Sequence, residues 1–330
     1  MAQPGLVSII CLAYGQARWV AEALESVLAQ TYRPLELIVA DDASPDGCAA
    51  TIRRWLLAAR LRPSFQSLAQ VVFLPLPRNV GNCRAFNLAL RYAQGEYVID
   101  LAADDVLLPH RVDTQATAFG QLPAHYGVMF SDVQLIDEHS RPVGTYYARD
   151  AGGHLRQPVP SGEVYRWVVG LQYISAPSMM VRRQVLDQLG GYDEALSYED
   201  YDFWVRSARC FHYFFQDLVL TQKRQLATSH RNGFYQKGTN PHLASTLVVC
   251  QKALRLNQNR QENQNLAISV RHHLRLSLFT ENFALVGQFA HLLHEMSESG
   301  WPDRVWAALA NARIGLYGWY KAWHKLRNWY

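Results

Sequence analysis

The stretch VSIICLAYGQARWVAEALESVLAQTYRPLELIVADDASPDG, residues 7–47, decides the fold. The apolar, β-branched run LVSIICLA (6–13) does not alternate with polar residues, as expected of a strand buried on both faces. Over 17–30, Val20, Leu24, Val27 and Leu28 recur at helical spacing. LELIVA (35–40) predicts a second strand, and DDASPDG (41–47) a turn, because Asp, Ser, Pro and Gly each favour one.

Working outward, the same alternation continues. A helix is expected over about 48–61, a strand at VVFL (71–74), a helix over about 82–94 and a strand at YVIDLA (97–102). This β-α-β-α-β-α-β rhythm predicts an α/β fold, a Rossmann-like, open, mostly parallel sheet with helices on both faces. Further on, YGVMFSDVQLID (126–137) and APSMMVRR (176–183) read as strands and SGEVYRWVVGL (161–171) as a short helix. EDYDFWVRSAR (199–209) reads as a helix whose leading acids suit its N-terminal dipole. After about 240 the pattern is all-helical, with breaks at NQNRQENQN (257–265) and Ser-Gly-Trp-Pro (299–302). A boundary is expected near 238–242, giving an α/β part, 1–240, and a C-terminal helical extension, 241–330.

Composition narrows the function classes. Hydrophobic residues are 49% and charged residues 18% of the 330, which excludes a disordered chain and supports a large packed core. No apolar run reaches the roughly 18–20 residues of a membrane-spanning helix, and the N-terminal run reads as a strand rather than a leader. Cys11, Cys48, Cys83, Cys210 and Cys250 are scattered, odd in number and never spaced CxxC, which favours a reducing cytoplasm over a disulfide framework or structural zinc. Arg304, Arg313, Lys321, Lys325 and Arg327 against Asp303 alone place the whole net charge of +4 in residues 301–330; the first 300 hold 27 charges of each sign. A nucleic-acid partner is not expected from that distribution.

Ligands of open α/β sheets bind outside the carboxyl ends of the strands. Ala13-Tyr14-Gly15, Asp41-Asp42 and Asp104-Asp105 all fall there by chain order. Two acid pairs at equivalent strand ends call for a counter-charge, and a magnesium or manganese ion carried by a nucleotide diphosphate meets that need. Either pair alone would read as a solvated turn or a helix cap.

Four ordered blocks over about the first 230 residues resemble glycosyltransferase family 2. They are 7–47, RNVGNCRAFNLAL (78–90), GEYVIDLAADDVLLP (95–109) and PSMMVRRQVLDQLGGYDEALSYEDYDFWVRSA (177–208). The resemblance implies a GT-A fold, with a nucleotide-binding half (1–110) and an acceptor-binding half (111–240). It implies transfer of a sugar from a nucleotide-diphosphate sugar, a UDP-sugar favoured, to a glycan or lipid-linked acceptor, with inversion and a Mn2+ or Mg2+ cofactor. Asp42 would accept from the nucleotide base, with Asp41 supporting its loop and Ala13 and Tyr14 lining the base. Asp104 would meet the diphosphate, Asp105 and His230 the metal, and Arg84 the diphosphate. Asp200 would be the catalytic base, with Glu199 and Trp204 on the acceptor side. Two departures stand out: Leu12-Ala13-Tyr14-Gly15 replaces the usual Pro-Thr-Tyr-Asn, and Ala102 replaces the first acid of D-x-D-D. An inactive sugar-nucleotide-binding module is the alternative that Ala102 raises; a nucleotidyltransferase would want a Gly-rich, basic first loop, which AYGQARW lacks.

The tail carries its own pattern. Leu316, Trp319, Trp323, Leu326 and Tyr330 recur at three- and four-residue steps, opposite Lys321, His324, Lys325 and Asn328. This basic amphipathic face over 301–330 is expected to meet either a second copy of the chain or the inner face of a membrane.

Overall fold

The computed structural model describes the chain apart from Met1, Gln172, residues 227–229 and residues 328–330. It packs as two compact units: residues 1–164, 174–195 and 210–226, and residues 165–173, 196–209 and 227–330. The boundary expected near 238–242 lies inside the second unit, which also takes in the helix that carries the Glu199-Asp200 pair.

The first unit is built on one sheet of nine strands. In chain order they are β1 (Gln3–Ala13), β2 (Leu35–Asp41), β3 (Gln70–Pro75), β4 (Gly95–Ala102), β5 (Val106–Leu107), β6 (Tyr126–Ile136), β7 (Pro142–Thr145), β8 (Met180–Arg182) and β9 (His212–Arg224). Their spatial order is β3-β2-β1-β4-β8-β6-β9-β5, with β7 beside β6. The first four strands run parallel, as the alternation of strands and helices requires. Beyond β4 the sheet is mixed: β8 is antiparallel to β4 and β6, β9 is parallel to β6, and β5 is antiparallel to β9. The buried run of β1 and the wholly buried β2 explain why those strands read as unbroken apolar segments: helices Val20–Leu28 and Cys48–Ala59 contribute Val20, Leu24, Val27, Ile52 and Trp55 to the same core.

Register sets the strand ends level. Ala13 lies opposite Asp41, and Leu12 opposite Ala102. Neighbouring strands lie about 4.8 Å apart, so the turns after β1, β2 and β4 share one edge of the sheet.

The second unit is helical. Helix Pro241–Leu256 starts where Pro at the first position and the Asn240 side chain, accepting from His242 N (3.0 Å) and Leu243 N (3.2 Å), cap it. The polar stretch 257–265 is the next helix start: Asn259 caps helix Arg260–Phe279 by accepting from Glu262 N (3.0 Å), and Glu262 accepts from Gln258 N (2.7 Å). Helices Phe283–Glu295, Trp301–Asn311 and Tyr317–Arg327 follow, with Asp303 accepting from Gly300 N (2.9 Å) at the expected 299–302 break. No helix among the described residues is long and apolar enough to cross a membrane.

Candidate active site

At the carboxyl edge of the parallel strands, the loops after β1 and β2 are laced together. Gly15 N donates to Ser44 Oγ (3.0 Å), Ala17 N to Asp46 Oδ2 (2.8 Å), and Asp42 N to Ala13 O (2.9 Å). Ala13 is thereby fixed by its backbone, while the Tyr14 ring stands half exposed at the rim.

The two acids of the Asp41-Asp42 pair do different things. Asp42 accepts from Val80 N (2.7 Å) with one oxygen and from Gly81 N (2.9 Å) with the other, anchoring the turn that leads into helix Asn82–Leu90. Burial pushes its carboxyl above the usual range, against the pull of those two amides. Asp41 accepts from Ser44 N (3.2 Å) through Oδ2, whereas its buried Oδ1 has no hydrogen-bond partner among the described residues. An unsatisfied buried carboxylate oxygen is costly.

The Asp104-Asp105 turn divides in the same way. Asp105 is 3% exposed and accepts from Arg224 N (2.9 Å). Burial, and then the neighbouring Asp104 charge, push its carboxyl up to about 7. Asp105, expected at a metal, therefore faces the protein interior. Asp104 is half buried, hydrogen-bonded by the Gln16 side chain and raised chiefly by burial. Among the described residues no three His, Cys, Asp or Glu side chains converge as a metal cage. One carboxylate, that of Asp104, fits an ion whose remaining oxygen ligands arrive with a diphosphate.

Arg224, the last residue of β9, ties this turn to its surroundings. Its Nε donates to Asp104 O (2.9 Å), Nη1 to Asp137 O (3.0 Å) and Ser140 Oγ (2.9 Å), and Nη2 pairs with Glu22 Oε2 (2.7 Å). Neither Gln16 nor Arg224 was predicted from the sequence. Gln16 sits in the departing first loop, and β9, which carries Arg224, has no clean alternation of buried and exposed residues to announce it.

The second and fourth sequence blocks meet through Asn87. Its Nδ2 donates to Tyr192 O (2.8 Å), its Oδ1 accepts from Tyr192 N (2.9 Å), and Phe86 stacks on Tyr192 at 4.2 Å. Gly191, at φ +80°, must be glycine for a second reason: a Cβ there would come within 2.3 Å of Asn87 Oδ1. Arg84, expected at the diphosphate, lies 3.6 Å from Glu194 with both side chains about half exposed.

In the second unit, Glu199 precedes helix Asp200–Ala208. Asp200 is half buried at its first turn, and Trp204 is packed into the core at 3% exposure. Asp202, the other acid of that turn, is 1% exposed and held by Arg206 Nε and Lys252 Nζ, both at 2.6 Å. His230 begins a short 3-10 helix, His230–Tyr235; its side chain lies outside the described residues.

The family model described as glycosyl transferase family 2 matches residues 8–190, more than half of the chain. The chain belongs to glycosyl transferase family 2. Among family relatives, an uncharacterised glycosyltransferase of Rickettsia typhi is 25% identical over 220 residues, 66% of this chain and 64% of its own. One from Methanocaldococcus jannaschii is 26% identical over 206 residues, 61% of this chain and 64% of its own. The match thus spans less than two thirds of these relatives' length. Solved structures share the fold. Staphylococcus aureus TarS 1–349 in complex with UDP superposes with TM-score 0.64 at 16% identity, covering 93% of this chain and 87% of that one. The Pyrobaculum calidifontis mannosyltransferase PcManGT, solved with GDP-Man and Mn2+, gives 0.54 at 18% identity, covering 97% and 87%. The GT-A architecture expected of the family is therefore present, with its sheet mixed beyond β4.

Proposed function

We propose that this chain transfers a sugar from a nucleotide-diphosphate sugar to an acceptor hydroxyl, with inversion, in polysaccharide or glycoconjugate synthesis. In this reading residues 1–240 form the catalytic part, working in the cytoplasm on a glycan or lipid-linked acceptor. The observation that carries it is the buried Oδ1 of Asp41, which has no hydrogen-bond partner among the described residues and lies level with Ala13, two strands from the β4 end that leads to Asp104. An acceptor atom at that depth suits the ring N–H of uracil, beside which Tyr14 offers a face for stacking. A UDP-sugar is thus favoured, with Asp41 as the base-reading acid and Asp42 as the residue that holds the 80–81 turn.

Asp104 would hold the divalent ion together with the diphosphate oxygens, and Asp105 would hold the turn behind it. When bound, the ion supplies neutralisation of the charge growing on the leaving diphosphate. Asp200 takes the acceptor proton as general base, because Asp202 is already neutralised by two cations and Asp200 is the half-buried acid of that turn. The new C–O bond forms as the bond to the diphosphate breaks, a single displacement that inverts the anomeric centre.

Thermal unfolding with a panel of nucleoside diphosphates and their sugars, with and without Mn2+, tests this. UDP at about 100 times its Kd should add about 2.7 kcal/mol of stability, and Asp41→Ala should remove most of that gain. No stabilisation by any nucleotide would overturn the reading. Binding without hydrolysis or transfer would favour the inactive module that Ala102 raises.

A further inference from the structure

Two helices carry the tail; of its predicted faces, Asn328 and Tyr330 and the side chains of Trp323, His324, Lys325 and Leu326 lie outside the described residues. Helix Trp301–Asn311 turns Asp303, Trp306 and Ala310 inward: Asp303 pairs with Arg271 (3.3 Å), Trp306 meets Phe279 edge-on at 6.2 Å, and Ala310 is buried. Helix Tyr317–Arg327 turns in Tyr320, which stacks flat on the same Phe279 at 5.2 Å. Tyr317 is held beside it, its N–H donating to Glu281 (3.3 Å) and its ring lying under Lys237 Nζ at 5.7 Å. Trp306, Tyr317 and Tyr320 make these contacts with the rest of the helical unit.

The opposite faces are left bare. On the first of the two helices they carry Trp301, Val305 and Ala308 at helical spacing, with Arg304 alongside. On the second they carry Trp319 and Ala322, with Lys321 between, and Arg313 and Ile314 stand exposed in the connection. Trp301 at 77% and Trp319 at 82% are the most exposed tryptophans described, and both helices place them away from Phe279. A tryptophan so exposed normally finds a partner, since its ring is apolar and its one N–H prefers a wet boundary.

We infer that this surface binds the headgroup layer of an anionic lipid bilayer. Charge complementarity selects that occupant. All of the chain's net charge of +4 resides in 301–330, and the rest of the sequence is balanced. A second copy would bring the same positive charge to the contact, whereas an anionic bilayer brings the opposite one. The exposed tryptophans are interleaved with Arg304, Arg313 and Lys321 rather than gathered into one dry patch, as suits rings seated between headgroups with cations above them. The surface does not depend on the reading of the donor site.

Co-sedimentation of the full chain with vesicles tests it, in the absence of nucleotide. Vesicles of phosphatidylcholine with about 30% phosphatidylglycerol should bind at least about tenfold more tightly than phosphatidylcholine alone. That binding should collapse as salt rises from about 0.1 to 0.5 M. The pair Trp301→Ser and Trp319→Ser, and separately the set Arg304→Glu, Arg313→Glu and Lys321→Glu, should each weaken binding about tenfold or more. Both variants should keep the wild-type melting temperature, which separates lost docking from lost folding. Absence of binding to the anionic vesicles overturns the inference, as does equal binding to neutral ones. A dimer in light scattering that the double tryptophan variant converts to a monomer also overturns it, in favour of a second copy.

Discussion

Two acid turns lie at the same sheet edge, Asp41-Asp42 after β2 and Asp104-Asp105 after β4, and they divide their labour in the same order. In the first, the second acid is engaged, by Val80 and Gly81, and the first keeps a buried oxygen with no hydrogen-bond partner among the described residues. In the second, the second acid again faces inward, to Arg224 N, and the first stays half buried at the surface. A carboxylate pair at a strand end is therefore not two equivalent ligands. One member builds the turn, and it is recognised by the amides it satisfies.

The largest expected effect comes from comparing Asp200 with Asp202, which is held by Arg206 and Lys252. Asp200→Asn should lower the transfer rate about a thousandfold while donor affinity stays within about threefold, because an amide keeps the shape but cannot take a proton. Asp202→Asn should do the reverse: a lower unfolding midpoint from leaving Arg206 and Lys252 without their shared counter-charge, with the folded enzyme still turning over. Equal kinetic losses in the two variants would erase the distinction.

Next in size is Asp42. Asp42→Ala leaves two turn amides without acceptors and should lower stability by about 3 kcal/mol in urea unfolding, whereas Asp41→Ala should leave stability unchanged or raised. If Asp41→Ala were the destabilising one, the roles assigned within that pair would be reversed.

The smallest effect concerns pH. Asp105 holds its proton to about 7 in the fold against 3.8 for an ordinary aspartate. The unfolded chain releases that proton first, so the group's contribution is complete below about pH 4 and is lost as pH rises towards about 7. Asp105→Asn should flatten that decline in stability, on the order of 1–2 kcal/mol across the window, because Asp104 is raised as well and keeps part of the slope. An unchanged pH profile would mean that Asp105 is ionised in the fold.

β1 and β2 were legible because burial on both faces leaves an unmistakable apolar run, β3 and β4 because they continue the strand-helix alternation, and the acids at the strand ends because chain order alone carries them to one edge. Which member of each pair stays open was not. That depends on the turn at Val80-Gly81 for one pair and on β9 for the other, each remote in sequence. β9 itself was missed because its pairing with β6 shifts register at Ser131, Asp132 and Val133, so its thirteen residues keep no steady inside-outside alternation. The tail's helices were legible from their spacing, but the stacking of Tyr320 on Phe279 was not, since Phe279 sits on a helix far earlier in the chain.

Arg224 joins Asp104 O, Asp137 O, Ser140 Oγ and Glu22 Oε2 through one buried guanidinium. Four segments thus share a single opening event in the folded protein. The turn at 137–140, which reads as a tolerant surface loop, inherits the persistence of the sheet edge. That persistence comes from an arginine more than eighty positions away.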